Sequence, residues 1–229
     1  AARNMGIRHP ILWTSIPAHA SAIGRLDEVL SVYHVVDEYS GYTLVDEVRR
    51  KRLKADESQL LDAADVVVAV SDELVQAKRG SGRDVHLVEN AVDFEAFHQA
   101  AESTSIPEDM KSIPAPRLGY SGLIGKRLDL GLLERMATSY PDWSIVLIGK
   151  VDDRRCEAAI SALRARPNVH FLGKKDFSDV PAYVAGLDVG LLPYEVNKET
   201  LHISPLKMYE YFATGLPVVS TDIPSVQKK

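Results

Sequence analysis

Short apolar runs rich in β-branched residues recur along the chain, each separated from the next by about a helix and a turn. DVVVAVS (65–71), WSIVLIG (143–149), VHFLG (169–173), DVGLLPY (188–194) and PVVST (217–221) have the length and composition of buried strands. Between them lie segments with helical spacing of apolar positions: DELVQAKRG (72–80), LDLGLLERMATS (128–139), CEAAISALRA (156–165) and SDVPAYVAGL (178–187). Strands alternating with helices at this pitch predict βαβ units and a parallel sheet, hence an α/β fold. The N-terminal part follows the same rule. PILWTSIP (10–17) predicts a strand, ASAIGRLDEVL (20–30) an amphipathic helix, and SVYHVVDEYS (31–40) a strand running into a loop. Residues 43–63 predict a long charged helix and VHLVEN (85–90) a further strand.

The alternation is interrupted once. In HQAAESTSIPEDMKSIPAP (98–116), Pro107, Pro114 and Pro116 sit among Ser, Thr and acidic residues, the composition of an interdomain linker or a surface excursion. The pattern restarts at RLGYSG (117–122). Across the break, LLDAADVVVAVS (60–71) echoes PAYVAGLDVGLLP (181–193): a helix ends in small residues, then an aspartate precedes a buried strand. The expected organisation is two Rossmann-like domains with parallel sheets flanked by helices, at 1–97 and 117–229, joined by 98–116. The chain opens at Ala1 and closes in SVQKK just after a strand, so a fragment is expected, with the first domain truncated and the end of the second missing.

Composition narrows the function classes. A net charge of −5 argues against a nucleic-acid-binding surface as the main role. A lone cysteine, Cys156, cannot form an internal disulfide, so a reducing compartment is the default. No apolar run approaches the roughly 20 residues of a membrane span. The 7 histidines show no paired ligand spacing and the lone cysteine adds none, so no protein-bound structural zinc is expected. RRKRLK (49–54) lies in a helix flanked by acids and is read as a solvated face rather than a membrane contact.

Two stretches carry candidate chemistry. In RLGYSGLIGKR (117–127) the glycines fall at 119, 122 and 125, which fits neither the dinucleotide fingerprint nor the P-loop. A strand-to-glycine turn followed by Lys126 and Arg127 can still hold phosphate through backbone N–H groups and positive charge; a surface turn with two solvated cations is the alternative. In HISPLKMYEYFATGLPVVST (202–221), Ser204 suits an N-cap, Pro205 the first helical position and Gly215 the helix end. Lys207 then falls in the first turn, where a cation is unfavourable by a few tenths of a kcal/mol to about 1. A bound anion or a salt bridge to Glu210 would each offset this. Asp37 and Glu38, after the strand in VVDEYSGY, sit where α/β folds place ligands, although loop capping explains them as well.

SPLKMYEYFATGLPVVST resembles the donor-binding signature of GT-B glycosyltransferases of family 4 or group 1, closest to the bacterial polysaccharide and cell-wall subgroup. PDWSIVLIG, NVHFLGKKDFSDVPAYVAGLDVGLLPY, VENAVDFEAF and VYHVVDEYSGY resemble the same group in the same order, over roughly residues 31–221. The resemblance implies sugar transfer from a nucleotide-diphosphate donor to a glycan or lipid-linked acceptor, in the cytoplasm or at the inner face of the cell membrane, without cofactor or metal. Glu210 matches the residue that holds the donor ribose. Lys207, with Ser204, lies where the helix start meets the donor diphosphate. Gly122 and Arg127, with Lys126 as the alternative cation, match the phosphate-binding first loop, and Lys175 a position whose backbone meets the base. Retention of configuration is the expected outcome; inversion would need a carboxylate base, for which Asp37 is the candidate. An epimerase-like enzyme on the same fold and a non-catalytic nucleotide-sugar-binding fragment are the alternatives. The chain departs from the pattern at His202, where many members carry a second glutamate, and at Gly122-Leu123, where Gly-Arg is common.

Overall fold

The computed structural model describes residues 6–39, 46–80, 82–103, 105–198 and 200–227. The chain divides into two compact units. One comprises residues up to Glu89 with Leu201–Ser204, the other Asn90–Thr200 with Pro205–Gln227.

The first unit runs β1 (Ile11–Thr14), β2 (Leu30–Val35), α1 (Glu47–Ala63), β3 (Val66–Ala69), α2 (Asp72–Arg79) and β4 (Val85–Leu87). The strands form one parallel sheet in the order β1-β2-β3-β4. Tyr33, Val35, Leu60, Val67, Ala69 and Leu74 build its core. Asp46 caps α1 by accepting from Arg49 N at 2.8 Å, and Ser71 caps α2 by accepting from Leu74 N at 3.3 Å. Residues 43–45 of the expected long helix lie outside the described residues. On α1 the side chains of Arg49, Lys51, Arg52 and Lys54 are exposed.

The helix expected over 20–30 is not formed. A 3-10 turn spans Pro17–Ala22, and the chain then turns through Gly24 at φ 76° and Asp27 at φ 58°. The Glu28 carboxylate accepts from the amides of Gly24 and Leu26, which competes with helical bonding. Glycine in the middle of an otherwise helical pattern marks the break.

The second unit runs α3 (Phe94–Glu102), β5 (Arg117–Ser121), β6 (Ile124–Gly125), α4 (Leu130–Ser139), β7 (Ser144–Ile148) and β8 (Val151–Asp152). It continues with α5 (Glu157–Arg164), β9 (Val169–Gly173), α6 (Val180–Ala185), β10 (Val189–Leu192), α7 (Leu206–Ala213), β11 (Val218–Ser220) and α8 (Pro224–Gln227). Five strands form a parallel sheet in the order β11-β10-β5-β7-β9, while β6 and β8 pair separately. The chain winds outward from β5 through β7 to β9, then returns to the other side of β5 for β10 and β11. β5 and β10 therefore flank a topological switch point, outside whose carboxyl ends such sheets bind ligands.

The stretch expected as a linker is part of this unit. It contains the end of α3 and a 3-10 turn over Glu108–Met110, and buried Met110 and Ile113 pack against Val146, Ile148 and Leu187. Its prolines and acids describe the surface of the segment, while its two apolar anchors decide where it packs.

The sequence echo has a common structural cause. Asp65 N donates to Ser31 O at 3.0 Å while its carboxylate accepts from Ser31 N at 2.8 Å. Asp188 repeats the arrangement with Arg117, at 2.9 and 2.6 Å. In each unit one aspartate thus locks the start of a buried strand to the start of its neighbour.

Candidate functional site

The carboxyl ends of β5, β7 and β9 all run into glycine, and each glycine has a positive φ: Gly122 157°, Gly149 145° and Gly173 71°. Gly122 N donates to Ile148 O at 2.8 Å, and Gly149 N to Gly173 O at 2.9 Å. A Cβ on Gly149 would lie 1.8 Å from Gly122 O, so the backbones approach more closely than any side chain allows. A Cβ on Gly122 would lie 2.6 Å from the Tyr120 hydroxyl. These contacts make a shelf of bare backbone beside the switch point. Gly149 was missed as a site residue in the sequence, although the shared ending of SIVLIG and RLGYSG was its signal.

The cations that follow Gly122 are fixed through their backbone. Arg127 O accepts from Glu195 N at 2.9 Å, Asp129 N donates to Pro193 O at 2.7 Å, and Leu128 bridges Tyr194. The loop is thereby tied to the exit of β10. Burial raises the Tyr120 and Tyr194 phenols above their ordinary range, and the positive charge of Arg127 acts on both in the opposite sense. Lys126 and Arg127 are both half-buried on this loop.

On α7, Lys207 Nζ contacts both carboxylate oxygens of Glu210, at 2.9 and 3.0 Å. Glu210 is buried and Lys207 is about a quarter exposed, so the pair lies half in and half out of the protein. Of the two ways to offset a cation in this turn, the structure shows the salt bridge. The expected Ser204 cap is not formed: the helix starts at Leu206, and Pro205 at the cap position has no side chain able to accept. Lys207 is thus the second helical residue. Ser204 groups with the first unit.

Lys175 lies two residues beyond the end of β9. Its ammonium pairs with Asp109 at 2.5 Å and sits 4.5 Å from the Tyr183 ring centroid, which occupies the side chain and leaves the backbone as its contribution. Asp37 belongs to the first unit, beyond β2, where its carboxylate accepts from Glu38 N at 2.9 Å. At His202 the ring Nδ1 is buried without a hydrogen-bond partner among the described residues. The structure thus gathers Gly122, Arg127 and the Lys207–Glu210 pair in the second unit.

Residues 124–228 match the model of the family described as glycosyl transferases group 1. A Bacillus subtilis (strain 168) protein named as a teichuronic acid biosynthesis glycosyltransferase, TuaH, is 35% identical over 230 residues. The chain is related to the group 1 glycosyltransferases. The aligned region takes in 95% of the chain and 56% of TuaH, so the chain spans little more than half the length of that relative. Among solved structures, HepE from Anabaena, in complex with UDP and glucose, superposes with a TM-score of 0.72 at 16% identity, covering 95% of this chain and 60% of that one. Sucrose-phosphate synthase from Thermosynechococcus elongatus gives 0.73 at 19% identity, covering 99% and 59%. These likenesses show the fold, which is GT-B: Rossmann-like units with parallel sheets flanked by helices.

Proposed function

We propose that the chain is the donor-binding part and a portion of the acceptor-side part of a glycosyltransferase. The enzyme moves a sugar from a nucleotide-diphosphate donor to a hydroxyl of a glycan or lipid-linked acceptor in cell-envelope polysaccharide synthesis. The observation that carries this reading is the Lys207–Glu210 pair at the start of α7, in the same unit as the glycine shelf of the switch point. The kinship with TuaH and the UDP and glucose held by HepE support the substrate class.

Within the pair each residue neutralises the other. A donor replaces both halves at once. The ribose hydroxyls donate to Glu210, which can accept two such bonds, and Lys207 turns to the diphosphate. Arg127, with Lys126 as the alternative, meets the phosphates from the other side, beside the Gly122 turn, and the backbone at Lys175 meets the base. As the bond from sugar to diphosphate breaks, negative charge grows on the leaving phosphate, and these fixed positive groups stabilise it without reorganising. Retention of configuration is the favoured outcome. In an inverting reaction Asp37 would take the acceptor proton.

The test is calorimetric titration with UDP, GDP and ADP of the wild type, Lys207→Ala and Glu210→Ala. Selective binding of one nucleotide is expected, weakened about tenfold or more in each variant, as loss of a charge-assisted hydrogen bond predicts. Equal affinities in all three proteins would remove this pair from the donor site.

A further inference from the structure

Strands β5 and β10 start as an ordinary parallel pair. Leu118 is in register with Val189 and Gly119 with Gly190. The ladder stops there, although β5 continues to Ser121 and β10 to Leu192. A fully buried side chain enters where the ladder ends. The Tyr211 hydroxyl, from α7, accepts from Ser121 N at 3.0 Å and lies 3.5 Å from Leu191 O, to which it donates. The phenol stands between a β5 donor and a β10 acceptor, relaying the bond that the strands no longer make directly. The ring needs space as well. A Cβ on Gly190 would lie 2.4 Å from it, so glycine at 190 is what lets it lie against β10.

We propose that Tyr211 is a wedge that splays β5 from β10 and so fixes the glycine turn at Ser121-Gly122 in the geometry that receives the donor diphosphate. Its role is positioning, and it rests on the donor-site reading above. Three features point this way. Tyr211 directly follows Glu210, so the residue expected at the ribose and the residue that sets the phosphate turn share one helix turn. The hydrogen bond it accepts comes from the residue immediately before Gly122. Burial raises the phenol well above its ordinary range, so it stays neutral and can accept and donate at once. Without the hydroxyl, Ser121 N and Leu191 O must close on each other or remain unsatisfied, and either result moves the turn.

The test compares Tyr211→Phe with the wild type, since phenylalanine keeps the ring and removes the relay. UDP and uridine are titrated into both proteins, and amide exchange is followed at Ser121 and Gly122. The expected result is a UDP affinity lower by about tenfold, the size of one lost hydrogen bond, with uridine affinity unchanged and exchange at Ser121 accelerated. A general loss of structure would weaken both ligands alike, so the UDP-to-uridine ratio isolates positioning. Incorporation of 3-fluorotyrosine at 211 keeps the hydroxyl and should restore the wild-type ratio, which retains a readout should Tyr211→Phe not fold. An unchanged ratio in Tyr211→Phe, or a ratio that 3-fluorotyrosine fails to restore, overturns the wedge. A wild type that binds none of UDP, GDP and ADP overturns the donor-site reading instead, one that selects GDP or ADP moves the same comparison to that nucleotide and its nucleoside, and Ser121 exchange decides in either case whether the phenol holds the turn.

Discussion

Lys207 and Glu210 are bound to each other but are not equivalent. The carboxylate is 7% exposed and the lysine side chain 24%. Lys207→Ala strands a buried charge and is expected to cost about 1–3 kcal/mol in urea unfolding, the price of an unsatisfied buried group. Glu210→Ala leaves a lysine that can rehydrate and is expected to cost below about 1 kcal/mol. Equal losses would show that the pair is shared evenly with solvent. Gly149 makes a sharper case at the same scale. Gly149→Ala places a methyl group 1.8 Å from Gly122 O, where only backbone can give way. A loss of about 1–3 kcal/mol, together with weaker binding of the nucleotide that the wild type selects, is expected from denaturation and calorimetry. The sequence made Lys207 legible because a cation in a first helical turn breaks a local rule. It hid Gly149, because a glycine ending a strand reads as punctuation, and the close approach that requires it comes from a segment more than twenty residues away.

Element types were largely legible, since buried strands and amphipathic helices differ in period. The failures came where local hydrogen bonding or distant apolar anchors decided the outcome. The segment at 20–30 has helical spacing, but Glu28 bonds backward to two amides and Gly24 turns left-handed. The segment at 98–116 has a linker's composition, yet Met110 and Ile113 bury it. The Asp65–Ser31 and Asp188–Arg117 locks show the opposite: a faint repeat in sequence marks the same device in both units. In the first unit the lock carries a pH signature. The Ser31 hydroxyl, and then its amide, hold the Asp65 carboxyl below its ordinary 3.8. A carboxylate lowered in the folded state contributes stability above its unfolded value and loses it as pH falls through the folded one. The stability gap between wild type and Asp65→Ala should therefore be full at neutral pH and shrink as the pH drops below 3.8. Urea curves at a series of pH values measure that gap, and a gap constant with pH would separate the lock from ionisation.

At the scale of the whole chain, each unit has its own sheet and its own buried core. Leu74 is fully buried in the first unit. Leu74→Ala is expected to lower that unit's stability by about 2–5 kcal/mol, as leucine truncations in cores do. The proposed donor residues on α7 and around Gly122 all belong to the second unit. The dissociation constant of Leu74→Ala for whichever of UDP, GDP and ADP the wild type selects should therefore equal that of the wild type, although its unfolding begins at lower temperature. Saturation with that nucleotide supplies the complementary perturbation: at a hundred times its dissociation constant it stabilises the state that binds it by about 2.7 kcal/mol. Calorimetric scans with and without the nucleotide should then show two transitions that move independently, one with Leu74→Ala and the other with nucleotide. A single transition shifted by both would mean that the two cores unfold as one cooperative body, and that the strength of donor binding is set partly in the unit that does not hold the donor.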